Sequence, residues 1–450
     1  MRAAAPLLWL LMIAPGVAVG GEVKRLTVAE ALSLAAEHSP ALASRRAGLE
    51  AADHRWSAST ARLLPKLSLN VRYTRLSYVA PGEITLPFSL PNQPTPDPIR
   101  LGDAIENQFA SSVVLEQPLF TGLTLINTRA AAQHATTAAA ELVRQEAQDL
   151  ALRTEETYFG LLKARQLLEV TEQSNKALTA HLERLERLAR EGASTPLDVS
   201  RTRTRLAALR VQRLQAQATE AVAQQGLLTL LGLEADVTLV LTPDLDAENE
   251  VPQQELLAQA QGRPDLAAAR AQAEVKEAQA RAAAGGLWPQ VVLRAAAQFD
   301  SPNQRYFPLR NEFNPSWDAS VVLAWTAWDW GATWHTHRAA ALDAVAARHW
   351  VAQLEDAVRS DVERRRLEVT TAAARRSASA EAVDVAAQSL ERAQRLCDAG
   401  QAPCIGVLDA EAELTALRAE WVQARVDQRL AGSQLRRAIG TLSLTPEGKP

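Results

Sequence analysis

The sequence has few cysteines, few phenylalanines and tyrosines, little net charge and no long apolar stretch beyond its first 20 residues. Its 450 residues include 2 cysteines, 7 phenylalanines and 4 tyrosines. Alanine, leucine, arginine, glutamate and glutamine dominate, which is typical of long helices rather than ordinary domains. The formal net charge of −4 indicates no polyelectrolyte partner, and no motif favours nucleic-acid binding. Since no later apolar run is long enough to span a bilayer, no transmembrane helix is predicted.

Residues with catalytic potential do not form a recognisable constellation. No Ser/His/Asp set and no glycine-rich phosphate loop occurs at a useful spacing. His335, His337 and His349 could suggest a metal site, but no acid or cysteine cluster accompanies them. We therefore predict no enzyme activity, no metal site and no cofactor.

Residues 1–20 have the pattern of a secretory signal peptide. Arg2 supplies the positive start, and Ala18-Val19-Gly20 supplies a small-residue cleavage site. The apolar run between them is short for a membrane anchor. No cysteine follows the predicted cleavage site, so a lipoprotein anchor is not indicated. The pattern predicts an exported protein.

A spacing of glycines occurs twice along the chain. In each half it predicts a long helix, a turn and a returning helix. The first and second glycines of each set are 70 and 69 positions apart, and the second and third are 40 positions apart in both sets. The two sets are Gly122, Gly192 and Gly232, and Gly331, Gly400 and Gly440. Such a long shared spacing indicates a duplicated helical hairpin. We predict a first repeat over residues 21–241, a second over 242–440 and a tail over 441–450.

Four segments alternate apolar and polar residues, two in each half. They cover residues 66–73, 108–116, 290–299 and 316–326. This period of two predicts strands with one apolar face. Each is close to the roughly 10 residues that cross a bilayer when tilted. A soluble sheet with one buried face would show the same alternation, so the pattern alone leaves both interpretations open. Between the first two segments, six prolines from Pro81 to Pro98 predict a long loop.

Aromatic residues near the ends of these segments favour the membrane, because aromatics gather where a barrel meets lipid headgroups. They are Tyr73, Trp288, Trp317, Trp325, Trp328 and Trp330. Four strands cannot close a barrel, since known barrels begin at about 8 strands, and open edges are unstable in lipid. The chain must therefore oligomerise if its strands span a membrane: two copies would give eight strands and three would give twelve.

The two cysteines, Cys397 and Cys404, lie on opposite arms of the turn predicted at Gly400. Antiparallel helices that meet there could bring them within disulfide distance, and export would permit the bond. The alternative is two unpaired small residues.

Five stretches of the sequence are informative in combination. They are Leu26-Thr27-Val28-Ala29-Glu30-Ala31-Leu32, Leu63-Leu64-Pro65-Lys66-Leu67-Ser68-Leu69, Gln117-Pro118-Leu119-Phe120-Thr121-Gly122, the run from Gly192 through Leu197-Asp198-Val199, and the run from Gly400 through Val407-Leu408-Asp409-Ala410. By their order, spacing and duplication, more than by any one of them, they resemble the TolC-like family of outer-membrane efflux proteins of Gram-negative bacteria.

The resemblance implies a homotrimer that combines a twelve-strand outer-membrane barrel with a helical tunnel through the periplasm. Such a trimer would be the exit duct of a tripartite efflux or type I secretion system. A periplasmic adaptor and an inner-membrane transporter would be its partners. The rival interpretation is a periplasmic adaptor-like coiled-coil protein, but two equal hairpins and four short strands argue against it.

The resemblance also implies roles for residues at the two turns, which would form the periplasmic entrance. Asp409 matches a position of an acidic ring, whereas a second ring position is Gly406 here. Asp198 matches an acid that helps to link neighbouring hairpins, but its usual partners fall at Cys397 and Ala402. We expect the adaptor to contact the hairpin tips, namely Gly192, Ala193, Ser194, Thr195, Gly400, Gln401 and Ala402.

Overall fold

The computed structural model describes residues 23–85, 98–192, 194–242, 245 and 255–444. The predicted signal peptide, Ala193 and residues 445–450 of the predicted tail lie outside these ranges, as does much of the proline-rich loop. The described helices are α1 (Val28–His38), α2 (Pro40–Ala61), α3 (Thr124–Arg190), α4 (Pro196–Leu231), α5 (Leu256–Ala260), α6 (Pro264–Ala284), α7 (Ala332–Asp398) and α8 (Ile405–Ala438). The described strands are β1 (Val23–Leu26), β2 (Lys66–Arg75), β3 (Glu83–Ile84), β4 (Ile99–Arg100), β5 (Asn107–Phe120), β6 (Thr238–Leu241), β7 (Gln290–Asp300) and β8 (Asn314–Ala324).

The long helices confirm the predicted hairpins. Helices α3 and α7 both contain 67 residues, and they are followed by α4 with 36 and α8 with 34. The glycines that bound the pattern have positive φ angles, a conformation that glycine adopts without steric cost. None of the helices within the described ranges combines the length and apolarity needed to cross a membrane.

The sequence pattern predicts one helix over residues 26–64, with a capping box formed by Thr27 and Glu30, but the structure has two helices there. The predicted capping box is confirmed: the Glu30 backbone N–H donates to Thr27 Oγ1, and the Thr27 backbone N–H donates to Glu30 Oε2. The break comes at Ser39, whose ψ of 113° is extended. Proline disfavours helical geometry in the residue before it, and Pro40 therefore separates α1 from α2.

The chain divides into two compact units. The first, which we call the hairpin unit, contains Met1–Leu42, Ala147–Ala260 and Asp361–Pro450. The second, the sheet unit, contains Ala43–Glu146 and Gln261–Ser360. Each unit draws on both halves of the sequence, so the units are a different division from the two predicted repeats. The repeat boundaries stay a prediction.

In the hairpin unit, β1 pairs in parallel with β6. The buried Tyr158 hydroxyl lies 2.9 Å from the carbonyl oxygens of Leu26 and Thr242, at the ends of these strands. The Tyr158 side chain thus links α3 to both strands. Its hydrogen bonding also offsets the free-energy cost of burying backbone carbonyl groups without a partner.

In the sheet unit, four strands form one antiparallel sheet in the order β2-β5-β7-β8. The four alternating segments are therefore confirmed as strands. Strand β5 is longer than predicted, because it continues through Pro118 to Phe120 with an irregularity in its pairing with β7. On the proline-rich loop, the described residues include the short antiparallel pair β3 and β4.

Candidate functional site: the hairpin tips and the exposed sheet

The first hairpin tip, between α3 and α4, is closed by hydrogen bonds. Thr195 is the N-cap of α4, where its Oγ1 accepts from the Asp198 backbone N–H at 3.2 Å and donates to Asp198 Oδ2 at 2.7 Å. Gly192 ends the preceding helix with a φ of 77°. Asp198 is thus bonded to its own helix start, and its role as a link to a neighbouring hairpin stays a prediction.

The second tip is closed by a covalent bond. Cys397 and Cys404 form a disulfide with their Cα atoms 4.9 Å apart. Gly400, with a φ of 67°, lets the Gln401 backbone N–H donate to the Leu396 carbonyl at 2.9 Å, which is the Schellman arrangement of a helix end. The N-cap of α8 is Cys404 itself, and it makes no side-chain capping bond. The N-cap position of the returning helix is thus occupied by a disulfide-bonded cysteine in the second tip and by the capping residue Thr195 in the first.

A charged contact joins the second tip to α3. Arg184 donates from Nη1 to both carboxylate oxygens of Asp398 at 2.9 Å each. Beside it, Leu185 packs with Cys397, Cys404 and Val407 in a buried cluster. An apolar cluster and an ionic contact thus help to hold the two hairpins of one chain together at their ends.

This contact was not predicted from the sequence, because its partners lie 214 positions apart. The one feature of the sequence that could have indicated this contact is a difference in charge between the two tip regions. Residues 178–213 contain eight arginines and four acids, whereas residues 381–420 contain eight acids and three arginines. Opposite charge on the two hairpins favours their contact.

His181 lies on α3 one turn before Leu185. Burial, followed by the neighbouring Arg184 guanidinium, lowers the pKa of His181, while Asp398 acts in the opposite direction. Its Nε2 is buried without a hydrogen-bond partner. A neutral imidazole at pH 7 follows, so His181 adds no positive charge to the contact.

The predicted ring position on α8 is exposed. The Asp409 carboxylate makes no hydrogen bond or ion pair with the described residues, and Gly406, one turn earlier, is also exposed. Glu413 is exposed as well and lies four residues after Asp409, on the same helix face. This second acid was missed because the resemblance directs attention to Gly406.

The sheet of the other unit exposes an apolar face. Leu67, Leu69 and Val71 on β2 are 69–73% exposed, and Val321 and Leu323 on β8 are 64% and 65% exposed. The register places Leu67, Leu115, Ala295 and Ala319 in one cross-strand row. An exposed apolar patch of this kind marks a surface that is covered in the functional state.

Aromatic side chains lie at both ends of this face. The six predicted residues, Tyr73, Trp288, Trp317, Trp325, Trp328 and Trp330, are between 56% and 87% exposed. Trp317 is the exception in position, because it lies only two positions from the Leu67–Ala319 row and not at an end. Tyr73 and Trp325 each lie six positions from the Leu67–Ala319 row. Along the strand direction, twelve positions at about 3.3 Å per residue span roughly 40 Å, and the two residues therefore lie at opposite ends of the face.

Within the described residues, no group of three or more His, Cys, Asp or Glu side chains could hold a metal ion. A search of curated proteins found no match to the sequence.

Solved structures of outer-membrane channels have a similar fold. CusC is 18% identical over 98% of this chain and 98% of its own, with a TM-score of 0.79. The channel OprN is 19% identical over 93% and 91%, with a TM-score of 0.75. The Campylobacter jejuni channel CmeC is 14% identical over 93% and 87%, with a TM-score of 0.76.

The sequence profile of one family covers almost all the described residues. It matches residues 31–233 and 256–441, which include both hairpins and all four strands of the large sheet. The chain belongs to the outer membrane efflux protein family.

Proposed function

We propose that the chain is the exit duct of a tripartite efflux or type I secretion system in the outer membrane of a Gram-negative bacterium. The observation that carries this proposal is the four-stranded sheet, with its exposed apolar face, its aromatic ends and its two open edges at β2 and β8. Open edges are not tolerated in lipid, so copies of the chain must pair edge to edge. Family membership and this sheet favour the duct over the adaptor alternative.

Three copies would complete a twelve-strand barrel in the outer membrane, continued by a tunnel of long helices in the periplasm. Residues 21–241 and 242–440 would be its two repeats within each chain. The duct would be passive. A periplasmic adaptor, bound at the hairpin tips, and an inner-membrane transporter would together open the duct and deliver its cargo.

The direct test is the mass of the complex extracted from outer membranes in detergent, corrected for bound detergent. Three chains per complex, with ion conduction after reconstitution, support the duct. A soluble monomer that needs no detergent would contradict it.

The Arg184–Asp398 contact is proposed to help keep the resting entrance closed. Both side chains are about half exposed, so one contact contributes only about 0.5–1 kcal/mol. Three copies in a trimer would together contribute about 1.5–3 kcal/mol.

Arg184→Ala is therefore expected to raise the open probability of reconstituted channels roughly tenfold or more. Arg187→Ala is the matched control, because Arg187 is an exposed arginine of the same helix without an ion pair to a described residue. Equal open probabilities for the two variants would contradict the proposal.

Asp409 is proposed to act differently, by attracting cations to the entrance. Three copies on one axis would create a negative potential, to which Glu413 would add. Asp409→Ala is expected to lower the cation-to-anion permeability ratio at least about twofold. Glu420→Ala, farther along α8, is the control. An unchanged reversal potential in a salt gradient would exclude the ring role.

A further inference from the structure

A pocket of about 530 Å³ lies at one end of the large sheet, within the sheet unit. Its strand residues are Lys66, Glu116, Pro118 and Val292. Lys66 lies opposite Glu116, and Pro118 lies opposite Val292. Neighbouring residues on a strand point to opposite faces, so these four side chains lie on the face opposite to Leu67 and Leu115. The pocket therefore opens on the polar face of the sheet and away from the apolar one.

The remaining walls come from the end of α2 and the start of α3. They are Ala58, Ala61, Arg62, Leu64, Pro65 and Leu125. Gln117 Nε2 donates to the Leu63 carbonyl at 3.0 Å, and Arg129 Nε donates to Thr60 Oγ1 at 3.1 Å. These bonds hold the α2–β2 turn against β5 and α2 against α3. The walls are consequently fixed before any ligand arrives, as is usual for small-molecule sites.

The charges that line the pocket are unequal. Arg62 and Lys66 are both exposed, and neither forms an ion pair with a residue in the described ranges. The carboxylate of Glu116 lies 3.8 Å from the Arg294 guanidinium, so its charge is already partly balanced. Two cations are left beside apolar walls formed by Leu64, Leu125 and Val292.

We propose that this pocket binds amphipathic organic anions during their passage through the duct. The apolar walls would receive the body of such a molecule, while Arg62 and Lys66 would bind its carboxylate or sulfonate, which is the strongest class of hydrogen bond available to them. The volume is within the range of small-molecule sites. The inference rests on the proposed duct function, since the polar face of the sheet lines the conduit in the trimer. A membrane lipid is the less suitable occupant, because the pocket opens away from the apolar face.

The test is equilibrium binding of radiolabelled taurocholate to the full-length trimer in nanodiscs of zwitterionic lipid, with binding to empty nanodiscs subtracted. We expect the Arg62→Gln/Lys66→Gln double variant to bind at least about tenfold more weakly. Arg72→Gln is the matched control. Arg72 is on the same strand and the same face as Lys66 but six positions, or roughly 20 Å, away, so its loss should leave binding unchanged.

Equal taurocholate affinity in the wild type and the double variant would overturn the inference. So would displacement of taurocholate when phosphatidylglycerol is added to the nanodisc, because the pocket would then be a lipid site. The mass of each variant is measured first, so that lost assembly is not taken for lost binding. If the wild type and the double variant both form ion-conducting trimers and bind taurocholate equally well, only the pocket proposal is overturned. If the protein forms no conducting trimer, the duct proposal is overturned.

Discussion

Replacing Leu67 by arginine is expected to abolish the membrane-inserted oligomer. Leu67 lies on the apolar face, one residue after the start of β2, and is 69% exposed in the single chain. An arginine on the lipid face of a barrel costs about 2–4 kcal/mol at the bilayer midplane and less toward the interfaces, and a trimer would carry three of them. We expect a loss of the heat-resistant oligomer from outer-membrane fractions of at least about 30-fold.

Asn70→Arg is the matched control on the same strand. Asn70 lies on the opposite face, across from Ser112, where the proposed conduit is filled with water. The same positive charge three positions away should leave the oligomer at the wild-type level. If both variants assemble equally well, the exposed face does not contact lipid, and the membrane interpretation of the sheet is wrong.

Replacing Gly122 by alanine is expected to have the second large effect, on stability. A Cβ atom at this position would lie 2.2 Å from the carbonyl oxygen of Gly285, a backbone atom that cannot turn away. The φ of +60° is also unfavourable for alanine. We expect a destabilisation of more than about 3 kcal/mol, measured by chemical unfolding of the purified protein in detergent.

Gly192→Ala separates these two causes. Its φ of +77° imposes a similar conformational cost, but no atom lies within 4 Å of the added Cβ. We expect a loss of only about 1–2 kcal/mol. A Gly122→Ala variant no less stable than Gly192→Ala would mean that the close approach of Gly122 and Gly285 does not constrain the fold.

The sequence predicted the features that depend on local periodicity. The alternation around Leu67 and around Val321 predicted strands with one apolar face, and the glycine spacing predicted two long hairpins. It did not predict the break between α1 and α2, because the apolar pattern continues through Ser39 and Pro40 and only the backbone preference of proline interrupts it.

The features of the site that were missed depend on contacts between distant segments. Arg184 and Asp398 each belong to a surface rich in charged residues, and nothing near either residue identifies its partner. The pocket needs Arg62 from a helix end and Lys66 from a strand to lie beside Val292, more than 200 positions later. The packing of the two hairpins creates the first contact, and the strand order of the sheet creates the pocket. No local pattern determines either of them.

The strand order also has a consequence for how the protein folds. The pairs β2–β5 and β7–β8 join segments of the same half, but β5–β7 joins residues near 115 to residues near 295. Closure of so long a loop is slow, so we expect the β5–β7 pair to form after the pairs within each half. The outer edges, β2 and β8, find partners only on other copies of the chain in the proposed trimer. The last step of folding is then a collision between molecules, and its rate rises with the concentration of chains.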